Sequence, residues 1–393
     1  MNIHLCVITG QPLANLIPLL QEKPEQVVLM YSDDMADSAR LFEATLVRVG
    51  FRPEQIHARP GLPLHPYEAI SLYAMEVHEM LRQQLPDALF TWNATGGTKL
   101  MALAIRDALD SSDRIIYLNT RDSLLEELRP APCALPLESV LTPEIYLHAL
   151  GKIRRHAKSD SDFWRENAEN HKAATLHLAG NIKKLESLVQ LFNRSLQANV
   201  GKQSCHINRI GPDWRKMLEL LQSAGLIEWD GTDDTEISIP SADAATWLTG
   251  GWLEEYVWHV ASRLGFDHVE ASVKFGDLRH RKDGEDNEID LLILHRNRLL
   301  VVECKSGYMG SNTQKDSGII YKLDSVADQA GGQQVTKLLV SAQPLEHETR
   351  QGRKVNTRAR AEAVHIHTLA SEQLIQLEKQ LQHWGEQGRL PAA

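Results

Sequence analysis

The stretch Glu288-Ile289-Asp290-Leu291-Leu292-Ile293-Leu294-His295-Arg296-Asn297-Arg298-Leu299-Leu300-Val301-Val302-Glu303-Cys304-Lys305 decides how the C-terminal third of the chain is read. Two apolar runs flank a short polar connector, the pattern of a β-hairpin. A turn symmetric about Arg296-Asn297 sets residue 294 against 299 and residue 290 against 303. Asp290 and Glu303 are then cross-strand partners, with Cβ atoms ~5 Å apart. Lys305 lies two residues beyond Glu303 and emerges on the same face, because side chains alternate along a strand. Two carboxylates held opposite each other repel, and a divalent cation shared between them removes the repulsion. Hard oxygen ligands suit Mg²⁺ or Mn²⁺. Such an ion lowers the pKa of a bound water and polarises a phosphodiester. The spacing therefore predicts Asp290 and Glu303 as metal ligands, with the backbone carbonyl of Cys304 as a third. Lys305 is placed to orient the water or to offset charge on the phosphate.

A further acid is expected on the preceding helix, which opens at Gly250-Gly251 and runs from Trp252 to about Leu264. At ~100° per residue, Leu253, Tyr256, Val257, Val260 and Leu264 form its buried stripe. Glu254 falls at the edge of that stripe and is taken as a fourth catalytic residue, whereas Glu255 is expected to face solvent. Strands follow near 268–275, 288–294 and 299–303, then a helix near 319–329, a strand near 335–341 and a closing helix near 372–384.

Gly251-Trp252-Leu253-Glu254, Asn287-Glu288-Ile289-Asp290 and Val302-Glu303-Cys304-Lys305 together resemble the PD-(D/E)xK restriction-endonuclease-like fold. More narrowly they resemble CRISPR-associated nucleases that carry an N-terminal CARF domain, the sensor of cyclic oligoadenylates. Ile289 stands where the proline of the fold's name would be, which leaves the metal ligands untouched. The stretch from Tyr321-Lys322-Leu323 to Gly331-Gly332 also looks family-like, and Lys322 is either a contact to the scissile strand or a solvated helical lysine.

The first 150 residues have a different rhythm. Short apolar runs at 3–8, 26–31, 88–92 and 114–118 alternate with amphipathic stretches at 35–49, 67–84 and 99–109. That alternation predicts an α/β domain around a mainly parallel, Rossmann-like sheet. Its most informative segment is Thr91-Trp92-Asn93-Ala94-Thr95-Gly96-Gly97-Thr98-Lys99-Leu100, which follows a strand and opens a helix. Paired glycines let backbone N–H groups approach a ligand, and a helix N-terminus favours anions. The pattern is neither a Walker P-loop nor the dinucleotide GxGxxG. Thr9-Gly10-Gln11, after the first strand, opens on the same edge of a parallel sheet. Beside the nuclease motifs these segments resemble the CARF ligand loop. The resemblance implies that Thr9, Gly10, Gln11, Asn93, Thr95, Gly96, Gly97, Thr98 and Lys99 bind cyclic tetra-adenylate, held between two copies of the chain in a homodimer.

The remaining segment predicts a helical, winged-helix-like piece: a helical period over 173–197, a helix over 214–224, and a hairpin of 226–230 with 236–239. Three domains follow, 1–150 CARF-like, 151–245 helical and winged-helix-like, and 246–393 nuclease, an α/β multidomain chain. Its 393 residues are too many for one core.

The formal net charge is −10, so grip on a polyanion must come from local patches. Residues 1–150 hold 11 Lys and Arg against 19 Asp and Glu, and the rest is near balance. Candidate phosphate contacts are Lys152, Arg154, Arg155 and Lys158; Lys274, Arg279, Arg281 and Lys282; and Arg350, Arg353, Lys354, Arg358 and Arg360. Arg209, Arg215 and Lys216 either touch phosphate or form a solvated surface. Aromatic residues are sparse near the carboxylates in sequence, so base stacking is not expected. Four scattered cysteines and no long apolar run suggest a cytoplasmic protein without disulfides or membrane contact. The family likeness implies cleavage of single-stranded DNA and RNA, with nicking of duplex DNA. A ligand-independent repair or restriction nuclease, and a ligand-responsive transcription regulator, remain the alternatives.

Overall fold

A computed structural model describes residues 1–278, 286–307, 313–331, 335–348 and 354–391. The chain divides into two compact units, Met1–Ile153 with Asp277–Arg279, and Arg154–Gly276 with His280–Ala393.

The first unit begins with β1 (Asn2–Val7), α1 (Leu13–Glu22), β2 (Gln26–Met30), α2 (Ala36–Arg48) and β3 (Ile56–Arg59). It continues through α3 (Tyr67–Gln84), β4 (Leu89–Asn93), α4 (Lys99–Ala108) and β5 (Arg114–Asn119). β6 (Leu124–Arg129), β7 (Cys133–Pro136) and α5 (Pro143–Ala149) complete it. One seven-stranded sheet runs in the order β3-β2-β1-β4-β5-β6-β7. The first five strands in that order are parallel, and β6 and β7 are antiparallel additions. The four expected strands are present with ends moved by a residue or so. α1, β3, β6 and β7 were not foreseen.

The strand order reverses between β1 and β4. Consecutive parallel strands on either side run outward from this point, so their exit loops diverge and leave a crevice at the carboxyl ends of β1 and β4. Trp92, Phe90, Leu5 and Ile3 fill the core beneath it.

Glu22 closes this unit from one side. Its Oε2 lies 2.8 Å from His4 Nε2, and Arg114 grips both carboxylate oxygens at 2.7 Å. α1 is thereby tied to β1 and β5. Burial alone would raise the Glu22 pKa, but the bonds from His4 and Arg114 prevail and hold it down at about 2. A carboxylate with a lowered folded-state pKa stabilises the fold at pH values above its unfolded pKa, and that contribution disappears as pH falls towards the folded value. Glu22→Gln should cost roughly 3 kcal/mol at pH 7 in denaturant unfolding. The gap between the two proteins should shrink to roughly half near pH 3.

The second unit opens in β8 (Lys152–Ala157), the strand within which the division between units falls. α6 (Asp162–Gly180), α7 (Ile182–Ser195), β9 (Gln203–Asn208), α8 (Pro212–Ser223), β10 (Asp234–Ile239), α9 (Ala242–Thr246) and α10 (Trp252–Ser262) follow. Next come β11 (His268–Asp277), β12 (Asn287–His295), β13 (Arg298–Lys305), α11 (Thr313–Gly331) and β14 (Thr336–Ser341). β15 (Glu346–Glu348), β16 (Lys354–Asn356), α12 (Thr357–Ala363), β17 (Ile366–Ala370) and α13 (Leu377–Gln387) end the chain.

The expected winged-helix hairpin is corrected. β10 pairs along its whole length with β9, and residues 226–230 contribute a single bridge, Glu228 to Ser238. The long helical period is two helices, broken at Gly180-Asn181. Nor does residue 245 bound a separate core. Leu185, Leu188 and Phe192 of α7 and Met217 and Leu221 of α8 belong to one cluster with Leu253, Val257, Leu291, Val302 and Trp384.

The six-stranded sheet runs β17-β14-β13-β12-β11-β8. β11, β12 and β13 are antiparallel neighbours, whereas β13, β14 and β17 are parallel. Leu291, Ile293, Leu300 and Val302 share a core with Leu253 and Val257 of α10. The alternate residues, Asp290, Glu303 and Lys305 among them, therefore look to the other face.

Candidate active site

Arg296 and Asn297 adopt left-handed φ values of 49° and 61°, as a two-residue type I′ turn requires. The turn closes the pair His295↔Arg298, and the ladder continues through Leu294↔Leu299 to Leu291↔Val302. The ladder ends there, one step short of the expected pair Asp290 and Glu303, whose charges nonetheless act on each other. Past Leu291↔Val302 the Asp290 carboxylate takes over the bonding, for its Oδ2 accepts the Cys304 backbone N–H at 2.7 Å.

Both acids are buried, Asp290 at 9% and Glu303 at 3% exposure. Lys305 Nζ lies 2.6 Å from Glu303 Oε1, and Lys322 of α11 approaches the same oxygen at 4.0 Å. Desolvation is the largest influence on Asp290; the charges of Glu303 and Glu254 add to it, and Lys305 opposes it, leaving the pKa pushed up to about 8. Burial alone would lower the Lys305 pKa, but the neighbouring Glu303 and Asp290 raise it. The Cys304 thiol, on the opposite face of β13, is buried and pushed well above its usual value, first by desolvation and then by the acids.

Glu254 reaches this cluster through a distortion that the sequence did not signal. In β11, Ala271 pairs with Leu291 and Val273 with Ile289, so Ser272 stands at the level of Asp290. Ser272 has a left-handed φ of 49° inside a strand, and its hydroxyl donates to Glu254 Oε2 at 2.9 Å. Lys158 Nζ sits 3.4 Å from the same oxygen. Ser272 and Lys158 thus hold Glu254 in place.

The reading of Glu255 as a solvent-facing residue is wrong. It is 5% exposed and accepts Trp247 Nε1–H at 2.7 Å, with His171 Nδ1 at 3.2 Å and the Thr175 hydroxyl at 3.5 Å. Its side of α10 packs on α6 rather than on water.

The structure disperses the expected basic clusters. Lys152 pairs with Asp277, Arg154 with Asp160 and Glu270, and Arg155 with Asp286. Arg358 binds Glu346, Thr368 and Gln373. These are internal ties. Lys274 is half-buried on β11. Arg279, Arg281, Lys282, Arg350, Arg353, Gly332 and the Lys354 side chain lie outside the described residues.

In the first unit the two predicted ligand segments do meet at the β1/β4 crevice, but their residues have different duties. Asn93 is fully buried; its amide donates to the Ala14 carbonyl and Asn15 Oδ1, and its Oδ1 accepts from the Thr95 backbone N–H and hydroxyl. Thr95 Oγ1 also accepts the Leu118 N–H. Both act inside the fold and shape the loop. Thr9 Oγ1 accepts the Gln11 N–H, and Thr98 caps α4 through the Met101 N–H. Gly10, Gln11, Gly97, Thr98 and Lys99 are exposed. Gly96 is a packing residue, since a Cβ there would sit 2.7 Å from the Val7 carbonyl oxygen. Gly97 is needed for its φ of +90°.

Among the described residues, His78, Asp110 and Asp113 of this unit bring their ligand atoms within 4.8 Å of one another. Arg82 already pairs with both aspartates, so this group is an ion-pair network.

Taken together, the chain is a two-unit α/β protein in which one unit carries a buried Asp–Glu–Lys cluster on a mixed sheet. Residues 241–387 match the family model of the Card1-like endonuclease domain, and this part of the chain is an endonuclease domain. No curated protein matches the sequence. Among solved structures, the fold is similar to Can2 from Sulfobacillus thermosulfidooxidans in complex with cyclic tetra-adenylate, at 23% identity and TM-score 0.72, covering 98% of this chain and 99% of that one. It is also similar to protein VC1899 from Vibrio cholerae, at 18% identity and TM-score 0.79, covering 99% of both chains. A type III CRISPR defence DNA nuclease activated by cyclic oligoadenylate matches at 17% identity and TM-score 0.52, covering 86% of this chain and 45% of that one.

Because the added methyl of Gly96→Ala would meet backbone rather than a flexible side chain, that substitution should displace the loop and cost about 1–3 kcal/mol. Thermal unfolding of the two proteins side by side measures it.

Proposed function

We propose that this protein is a metal-dependent nuclease, activated by cyclic tetra-adenylate, that cleaves single-stranded DNA and RNA in type III CRISPR defence and nicks duplex DNA. The observation that carries the reading is the convergence of Asp290, Glu303, Glu254 and Lys305 within a Card1-like endonuclease domain.

The residues suit a divalent cation. Three carboxylates lie within electrostatic reach of one another, two of them are buried, and Asp290 is driven towards its neutral form first by burial and then by the charges of Glu303 and Glu254, a tension that a hard cation with oxygen ligands relieves. Asp290 and Glu303, with the Cys304 carbonyl, would hold it, and Glu254 would complete its surroundings. When bound, Mg²⁺ or Mn²⁺ supplies an acidified water and charge neutralisation at the phosphate. Lys305, ion-paired and kept protonated beside Glu303, offsets negative charge as the phosphoryl group is attacked. Lys322, exposed at the cluster's edge, is available to a non-bridging phosphate oxygen. Ser272 fixes the Glu254 carboxylate, and the burial of Asp290 and Glu303 keeps these charges strong.

The first unit is read as a Rossmann-like CARF sensor, and the segment with α8, β9 and β10 as a winged-helix relative that joins it to the restriction-endonuclease-like sheet. Support for the sensor comes from the crevice at the strand-order reversal, from the α4 N-terminus with its Thr98 cap, and from Can2, which was solved with cyclic tetra-adenylate. Gly10, Gln11, Gly97, Thr98 and Lys99 face the ligand, with Thr9, Asn93, Thr95 and Gly96 shaping their loops. A helix N-terminus and one lysine per copy offset the unit's acidity, and two copies together enclose the ring. No helix among the described residues is long and apolar enough to cross a membrane.

Labelled single strands should be cut only with Mg²⁺ or Mn²⁺ present and faster when cyclic tetra-adenylate is added, and chelator should stop the reaction. Glu303→Gln and Lys305→Ala should each slow cleavage by roughly 10²-fold or more without changing the circular dichroism spectrum. Ligand-independent cutting would favour a repair or restriction nuclease instead.

A further inference from the structure

Beside Glu254 lies a cavity of about 310 Å³ lined by Phe163, Trp164, Asn167, His171, Asp243 and Trp247, together with Lys158 and Glu255. It lies wholly within the second unit, and Glu254 belongs both to its wall and to the carboxylate cluster. We propose that this cavity receives the base of a nucleotide flanking the scissile phosphate, stacked on Phe163, and that it prefers bases bearing an exocyclic amino group over thymine and uracil. The proposal rests on the nuclease reading of the Asp290–Glu303 cluster.

Three features define the occupant. Phe163 is 65% exposed although it sits in the first turn of α6 beside Trp164, whose ring packs edge-on against Trp258 at 5.1 Å. An aromatic face left bare at the mouth of a cavity offers a base a surface on which to stack. The cavity is also rich in acceptors. Asp243, Glu254 and Glu255 line it with Lys158, which lies 3.4 Å from Glu254. Glu255 is already bonded to Trp247, His171 and Thr175, so the acceptors open to a base are those of Asp243 and Glu254. Such walls repel a phosphate, so the backbone of the strand stays outside, towards the metal ligands. A base edge with N–H donors is welcome there, since carboxylates accept from amino groups such as cytosine N4. Finally, the half-buried Asn167 amide makes no hydrogen bond to the described residues and offers a donor and an acceptor to a base edge. Aromatic residues that looked remote from the carboxylates along the chain are brought beside them because α6 packs against α10.

The test uses the full chain with Ca²⁺ and cyclic tetra-adenylate, and follows binding of fluorescent oligodeoxycytidine and oligothymidine by anisotropy. Oligodeoxycytidine should bind roughly tenfold more tightly. Phe163→Ala should weaken its binding by roughly tenfold, and Phe163→Tyr, which keeps the ring, should restore it. Equal affinity for the two strands, or binding untouched by Phe163→Ala, overturns the proposal. In the matching Mg²⁺ cleavage assay, Phe163→Ala should raise KM and leave kcat close to that of the unaltered protein. Cleavage that persists with KM unmoved removes the base site alone. A cytosine preference lost in Phe163→Ala, in a protein with no metal-stimulated cleavage, leaves the base site standing and removes the nuclease reading.

Discussion

The pairing register of β12 with β13 is the constraint on which the candidate site depends. Side chains alternate faces along a strand, so a slip of one residue would carry Asp290 into the α10 core and bring Leu291 into the cluster. The left-handed pair Arg296-Asn297 prevents the slip from one end. From the other end, the Asp290 carboxylate bonds the Cys304 N–H where the backbone ladder stops. The charge conflict between Asp290 and Glu303 is therefore not an accident of packing but a consequence of the turn. Lys305 moderates it, Lys322 approaches Glu303 from α11, and burial adds to the charge of Glu303 in raising the Asp290 pKa.

Features set by local pattern were legible in the sequence. The hairpin and its register, the α10 stripe of Leu253, Tyr256, Val257 and Val260, and the alternation of the first four long strands follow from periods of two and of 3.6 residues. What was missed depends on partners distant along the chain. β8 reads Lys-Ile-Arg-Arg-His-Ala, hardly a strand by composition, yet its arginines are matched by Glu270 and Asp286. Glu255 seemed destined for water because a helical wheel knows nothing of Trp247, His171 and Thr175. Ser272 left no trace at all, since nothing in its neighbours announces a left-handed residue in mid-strand.

The glycine-rich loop shows a similar division. Its sequence suggested a row of ligand contacts, and the structure separates them by duty. Asn93 and Thr95 spend their hydrogen bonds on Ala14, Asn15 and Leu118, and Gly96 makes room for the Val7 carbonyl. A short exposed stretch, Gly97-Thr98-Lys99, is left to face outward at the α4 N-terminus. Rigidity in the inner residues is what gives the outer ones a fixed position, because a loop whose own polar groups are satisfied does not rearrange to satisfy them.

The single core of the second unit has a bearing on how such chains can be recombined. α7 and α8 bury the same apolar cluster as α10 and the sheet, so a cut near residue 245 would strip Leu188, Phe192 and Leu221 from Trp247, Leu248 and Leu253. The smallest portable cassette starts near Arg154, and any transplant of the nuclease sheet has to take those helices with it.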